Sequence, residues 1–467
     1  MDKFSGTTSS DALLNEFAED ILARHNIAQE KVVAVVTDTT GNMGKFGKLL
    51  RETYDVEHIY CVDHQIHRTA ILAREDRYIP QGNGTMKCFR NLMQFFNSST
   101  QALEKLLTSM KAANLPPLKP FQDNVTRWWS TYKSISRYLD NGVGDHITLL
   151  ISHGEIGGSC VDLSPTHKMV LKDVRILLHP LAKAQNTLEG EKYPSISLVA
   201  YCVNYIRKCL LKATTRNDLI DQVRSLGERM LKDFKQRYGD GSINYYNPVK
   251  IGSNKRYVSL HPYHVFAAFL DPRLQHKDIV NNDEVERVWR DLKTYTINIS
   301  AINNVQVVQP PPPANNNHPN MPVVRPPNLE RAVDFYNSSE DDISVENVVV
   351  DNTNDIIAQE IALFRTGDRM AVRKFSMNRL NKEDQVDVIG WWKVKEVLYP
   401  NLARSWERLV TITATSAPSE RQWSILSNII TKNRNRIDHS VISDLMMAKE
   451  NSDLLEAYEA YLVTNGN

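Results

Sequence analysis

The chain has 467 residues, long enough for a large core and more than one domain at ~150 residues each. Charged residues make up 24% and hydrophobic residues 42%, an ordinary globular balance that excludes a disordered profile. The net charge of +1 gives no global basic field, so any polyanion contact must come from local clusters. The five cysteines, Cys61, Cys88, Cys160, Cys202 and Cys209, are odd in number and thinly spread, which argues for a reducing compartment rather than a disulfide framework. The N-terminus has no apolar signal core. Runs such as 32–36 and 265–270 fall far short of the ~20 residues needed to span a bilayer. A soluble, intracellular protein with no membrane partner is expected.

In chain order, Leu13, Leu14, Phe17, Ile21 and Leu22 recur at helical spacing over residues 9–24, with Ser9, Ser10 or Asp11 as the cap. Residues 31–37 are β-branched and consecutively apolar, which predicts a strand buried on both faces. Asp38 stands just past that strand, and Gly41-Asn42 turns into a helix near 43–54. A second strand over 58–62 leads into a helix through 64–74. This alternation implies a small parallel sheet covered by helices. Residues 85–237 turn largely helical, with helices predicted over 92–113, 126–139, 167–188 and 198–211. Aperiodic residues near 239–255 mark a break. A Pro- and Asn-rich stretch over 303–328 reads as a flexible or polyproline-type linker, or as a ligand for a proline-recognising domain. Helical pattern resumes over 354–366, 387–395, 401–410, 419–430 and 440–462.

Four clusters carry candidate chemistry. Asp38, at the carboxyl end of a parallel strand, suits a metal ligand or a turn residue capping the next helix. Cys61-Val62-Asp63-His64 has the spacing of half a zinc site. No matched second pair follows, so a buried thiol and a helix-starting histidine stand as the alternative. Thr126-Arg127-Trp128-Trp129-Ser130-Thr131 sets a cation beside two indoles, for stacking on an extruded base or as a core anchor with a structural ion pair. Pro418-Ser419-Glu420 reads as a helix start with Glu420 in its first turn, beyond Trp391-Trp392 and Tyr399-Pro400, and Lys432, Arg434 and Arg436 follow as a sparse basic stretch.

Together and in this order, these pieces resemble the hAT superfamily of cut-and-paste transposases and their domesticated relatives. Val36-Thr37-Asp38-Thr39-Thr40-Gly41-Asn42-Met43 resembles that family's Thr-Asp-Asn-Ala-x-Asn-Met stretch, and Cys61 with His64 its Cys-x-x-His. Thr126 to Tyr132 resembles its Thr-Arg-Trp-Asn-Ser-Thr. Tyr193-Pro194, Leu270-Asp271-Pro272-Arg273 and the segment from Trp391 to Arg436 match further landmarks, the last resembling the C-terminal dimerisation region. The resemblance implies a mixed α/β, mainly helical fold, an incomplete ribonuclease-H-like domain interrupted by a long all-helical insertion. Expected divisions are a partial ribonuclease-H-like segment (1–80), a helical insertion (81–302), a linker (303–350) and a dimerisation region completing the fold (351–467).

The family's site holds two divalent ions on three carboxylates. By resemblance, Asp38 corresponds to the second carboxylate and Glu420 to the third, with Mg2+ as the ion if the site is competent. Arg127 and Trp128 match the motif that handles a flipped base. Trp391, Trp392, Tyr399, Pro400 and Trp423 are the expected dimerisation residues, although any one of the tryptophans fits ordinary core packing equally well. Too few residues precede the first helix for three strands bearing a first catalytic Asp, and the family's BED-type zinc finger is absent from the sequence. Thr39-Thr40 and Trp129 also depart from the family pattern. The expected function is therefore a transposase-derived protein that self-associates and binds DNA without cleaving it, with no cofactor. Its partners would be itself, DNA and related full-length transposases, in the nucleus. The alternatives are an active transposase whose finger and first Asp lie outside this chain, and a helical scaffold with no nucleic-acid role.

Overall fold

The computed structural model describes residues 9–39, 41–79, 84–123, 129–158, 160–190, 193–239, 260–274, 279–302, 353–366, 387–429 and 439–450. The described chain is mostly helical, with a two-stranded parallel sheet that does not close. It forms two compact units, one of residues 1–288, 372–386 and 408–467, the other of residues 289–371 and 387–407. The α/β segment and nearly all of the expected helical insertion thus share a unit, whereas residues 351–467 are divided between the two. The Pro- and Asn-rich stretch and the 239–255 break, apart from Gly239, lie outside the described residues.

In the first unit, α1 (Ser10–Glu16) starts where the Ser9 hydroxyl accepts the Ala12 N–H at 3.2 Å. It runs on through a wider turn over Phe17–Ala23, in which the Arg24 N–H reaches back five residues to the Glu19 carbonyl. Phe17 packs with Phe46, Leu50 and Val56, so this helix covers α2 (Gly41–Tyr54). Between them runs β1 (Ala34–Thr37), paired in parallel with β2 (Glu57–Tyr60), Ala34 opposite Glu57 and Thr37 opposite Tyr60. All four β1 residues are only half-buried. The expectation of a strand buried on both faces is corrected here. A consecutive apolar run reports affinity for a core, but not whether a neighbouring strand exists to complete it.

After β2 comes α3 (Val62–Ala70), so Val62 belongs to a helix and not to the strand. The expected helix over 92–113 is two, α4 (Thr85–Ser98) and α5 (Thr100–Ala112). They are split at Ser99, which leaves the helical conformation and caps α5 by accepting the Ala102 N–H at 3.2 Å. Helices α6 (Trp129–Leu139), α7 (Val143–Ser152), α8 (Pro165–Leu188), α9 (Leu198–Thr214), α10 (Asp221–Tyr238) and α11 (Pro262–Phe269) follow. Helix α8 is the spine: α3, α4, α6, α9 and α10 pack on it, and Val170, Leu171, Val174, Leu177, Leu178 and Leu181 are buried along it.

The second unit uses α12 (Val285–Ile302) from Trp289 on, α13 (Thr353–Thr366), α14 (Val388–Lys395) and the start of α15 (Pro400–Val410). Its core is aromatic. Phe364 stacks on Trp392 with centroids 5.5 Å apart, Trp392 stacks on Trp406 at 5.8 Å, and Trp289 and Tyr399 meet Phe364 edge-on. Inside this core Glu360 accepts the Leu402 N–H and the Asn401 amide, each at 2.7 Å. Helices α16 (Ala417–Ile429) and α17 (His439–Glu450) complete the described chain.

Candidate functional site

The parallel register brings the carboxyl ends of β1 and β2 side by side, so Asp38 and Cys61 stand next to each other just beyond the sheet. The Cys61 N–H donates to the Thr37 carbonyl at 2.7 Å, and Thr37 Oγ1 lies 2.8 Å from His58 Nε2. A distant segment docks on these strand ends. The Val62 N–H donates to the Ala414 carbonyl at 3.3 Å, and the Ser416 N–H donates to Cys61 Sγ at 3.3 Å. From there α16 begins, with Glu420 in its first turn held by the Ser416 hydroxyl at 3.1 Å. Arg421 donates to the Glu189 carbonyl at 3.2 Å, which ties the start of α16 to the residue after α8.

Asp38 and Glu420, far apart in sequence, meet electrostatically at His64. Burial holds that imidazole below its ordinary pKa, while both carboxylates act in the opposite direction. His67 is pushed down to about 4 by burial and by His64, its stacked neighbour. Burial, with Asp63 next, pushes the Cys61 thiol up to about 11, so it is a protonated thiol at neutral pH and not a metal-binding thiolate. Of the two readings of Cys61 and His64, the arrangement shows a buried free thiol that accepts a backbone N–H and a histidine in the first turn of a helix.

Asp63 is the residue that sequence reasoning passed over. Its side chain is 9% exposed, and no N–H or hydroxyl among the described residues donates to either carboxyl oxygen. Burial first, then the carboxyls of Glu189 and Glu420, hold it well above the usual carboxylate range, against Arg421. Its contact with Glu189 is a hydrogen bond between two carboxyls, which requires a proton on one of them. The available signal was position: Asp63 shares a buried stripe with Ile66 and Ala70, where an acid is unexpected.

This donor set was compared with the metal chemistry that the resemblance implies. Among the described residues no group of three or more His, Cys, Asp or Glu is arranged to hold an ion, and the acid nearest Glu420 is kept protonated. The residues as placed do not fit a two-ion site.

In the second unit, Trp392 and Tyr399 are 3% and 5% exposed, packed into the unit's own core, and Trp391 is half-buried. Pro400 is buried in the first turn of α15. Large aliphatic side chains are exposed instead: Ile389, Val394 and Val397. Residues 371–452 match the model of the hAT family C-terminal dimerisation region. The chain carries a hAT dimerisation region. No curated protein matches the chain. The hAT region takes in α14, α15, α16 and most of α17, and with them the aromatic residues and Glu420. Its span agrees with the landmarks from Trp391 to Arg436 and is consistent with the hAT transposase superfamily.

Arg127 and Trp128 lie outside the described residues, as do the Trp423 side chain and Lys432, Arg434 and Arg436. The end of the Thr126–Thr131 cluster is described, and it is anchored. Ser130 and Thr131 donate to Asp123 Oδ1 at 2.7 and 2.9 Å, while Arg90 and Arg74 face Oδ2 at 3.0 and 3.7 Å. Asp123, another residue missed in the sequence, thus holds the start of α6. The two remaining landmarks have structural roles. The Tyr193 hydroxyl donates to the Thr187 carbonyl at 2.6 Å, and Asp271 pairs with Arg273 inside the first unit.

Proposed function

We propose that this chain self-associates through its hAT C-terminal region and binds DNA without cleaving it, as a transposase-derived nuclear protein. The match over residues 371–452 carries the self-association. In this reading the aromatic residues build the support from within, and Ile389, Val394 and Val397 supply apolar contact area on the outside. The paired strands, with α2, α3 and α16 around them, are read as part of a ribonuclease-H-like domain. Two of the three carboxylates that this resemblance calls for have counterparts, Asp38 and Glu420, which supports binding without cleavage.

Light scattering on the full chain tests the first half. A dimer or larger assembly is expected, with a shift toward the monomer when Ile389, Val394 and Val397 are all changed to Glu. A monomeric full chain would remove the reading. For DNA, anisotropy with a labelled duplex should show binding that weakens steeply with salt. A second reading, metal-dependent strand cleavage, is favoured by the meeting of Asp38 and Glu420 at His64. Mg2+-dependent nicking that is lost in Glu420→Gln would replace the non-cleaving reading with this one.

A further inference from the structure

The sheet of the first unit has one edge that nothing described covers. Strand β1 pairs with β2 on one side, and among the described residues no strand pairs with its other side. Such an edge presents a row of backbone N–H and C=O groups ready to accept another strand, and a two-stranded sheet is marginal without further support. Alongside it runs a cleft of about 370 Å³, bounded by residues 31–36 on the strand side and 411–419 on the other. The strand wall offers Val32, Ala34 and Val36; the far wall offers Thr413, Thr415 and Pro418.

We propose that this cleft is a strand-accepting groove, and that its occupant is a single extended segment of another polypeptide that pairs with the outer edge of β1. The volume lies in the range of small-ligand sites, about 300–1,000 Å³. It admits a few residues of one strand, but not a second folded sheet with its covering helices, which argues against β1 pairing with β1 of another copy. Lys31 is the one charged side chain among the lining residues, and no acid lines the cleft. The matching segment is therefore uncharged where it is enclosed, apolar or hydroxyl-bearing at alternate positions, with tolerance for an acid near Lys31. Affinity comes from main-chain hydrogen bonds and selectivity from the alternate side chains, as in other strand additions. This surface is separate from the exposed aliphatic residues of α14 and does not rest on the self-association reading.

The probe is a fluorescein-labelled peptide of sequence Lys-Val-Val-Ala-Val-Val-Thr, used with the full chain at concentrations where the peptide alone stays monomeric. Saturable binding is expected, with amide exchange of Val33 to Val36 slowed at least about tenfold on addition. N-methylation of alternate peptide residues should abolish binding. Thr413→Trp, at an exposed position on the far wall, should fill the groove and weaken binding about tenfold or more while leaving the melting temperature unchanged. Slow exchange of these amides in the free chain would show the edge already covered and overturn the proposal. So would binding that ignores N-methylation or Thr413→Trp. If Thr413→Trp instead converts an oligomeric chain to a monomer, the groove belongs to a second copy and the proposal is overturned in that direction.

Discussion

Glu360 is fully enclosed in the aromatic core of the second unit, and burial pushes its carboxyl up to about 7, against the opposing Leu402 N–H and Asn401 amide. An exposed Glu titrates near 4.3. The folded state therefore holds a proton that the unfolded chain has released, and the stability linked to it is complete below about pH 4.5 and lost as pH rises through about 7. At 1.36 kcal/mol per pKa unit, the effect is on the order of 3 kcal/mol. Glu360→Gln keeps an acceptor for the Leu402 N–H and stays neutral, so urea midpoints between pH 5 and 8 should lose most of their slope. An unchanged slope would locate the titration elsewhere. Asp271 is the opposite case, a buried acid that stays paired. Arg273 grips it through Nε at 2.9 Å and Nη2 at 2.6 Å, and the Ser197 hydroxyl donates at 2.7 Å. Asp271→Ala leaves the guanidinium buried without its carboxylate, and equilibrium unfolding should show a loss of about 3–5 kcal/mol. A loss below about 1 kcal/mol would mean that water reaches Arg273.

Among the elements, the contact of α2 with β2 depends on an absent side chain. A methyl group on Gly47 would run into the His58 ring and its Cβ, so the clash involves the rigid base of the side chain as well as its tip. The ring is further fixed by its contact with Thr37 Oγ1 and by Tyr60, edge-on at 4.7 Å. Gly to Ala in a helix interior gains up to about 1 kcal/mol from propensity, whereas overpacking loses about 1–3 kcal/mol. The clash should win, and thermal melting of Gly47→Ala should fall below the parent; a rise would mean that α2 shifts freely on the sheet. The same pair of elements shows what a sequence can and cannot report. Periodicity placed α2, α8 and α13 because each buries one stripe along its length. It joined α4 to α5 because residues 92–113 keep an apolar rhythm through Ser99, whose capping role is visible only once the Ala102 N–H is seen to point at it. β-Branched residues announced β1, but its half-burial depends on the missing neighbour, which no local pattern encodes. For the candidate site, Asp38 and Glu420 were legible through motif resemblance alone, since their meeting at His64 depends on the docking of Ala414 and Ser416 onto the strand ends. Asp63, Glu189 and Asp123 escaped because each matters through partners far away in the chain.

On the scale of the whole molecule, the hAT region contributes to both compact units, so a change within it can act through fold or through surface. Trp392 and the exposed aliphatic residues separate the two effects. Trp392 touches Phe364, Tyr399 and Trp406 and is 3% exposed, so Trp392→Ala removes a large side chain from the middle of a core. Such truncations lose about 3–5 kcal/mol, and any fall in oligomer mass should then accompany a fall in melting temperature. Ile389, Val394 and Val397 are 45%, 59% and 67% exposed in the single chain, and replacing them with Glu leaves that core intact. At equal protein concentration the triple variant should therefore lose mass by light scattering while the circular dichroism and melting of the monomeric unit stay close to the parent. If Trp392→Ala lowers the mass without lowering the melting temperature, the indole itself reaches the partner and the contact surface lies on the aromatic side. If the triple variant remains fully assembled, these aliphatic residues are ordinary exposed side chains, and the contact must be carried by other parts of residues 371–452.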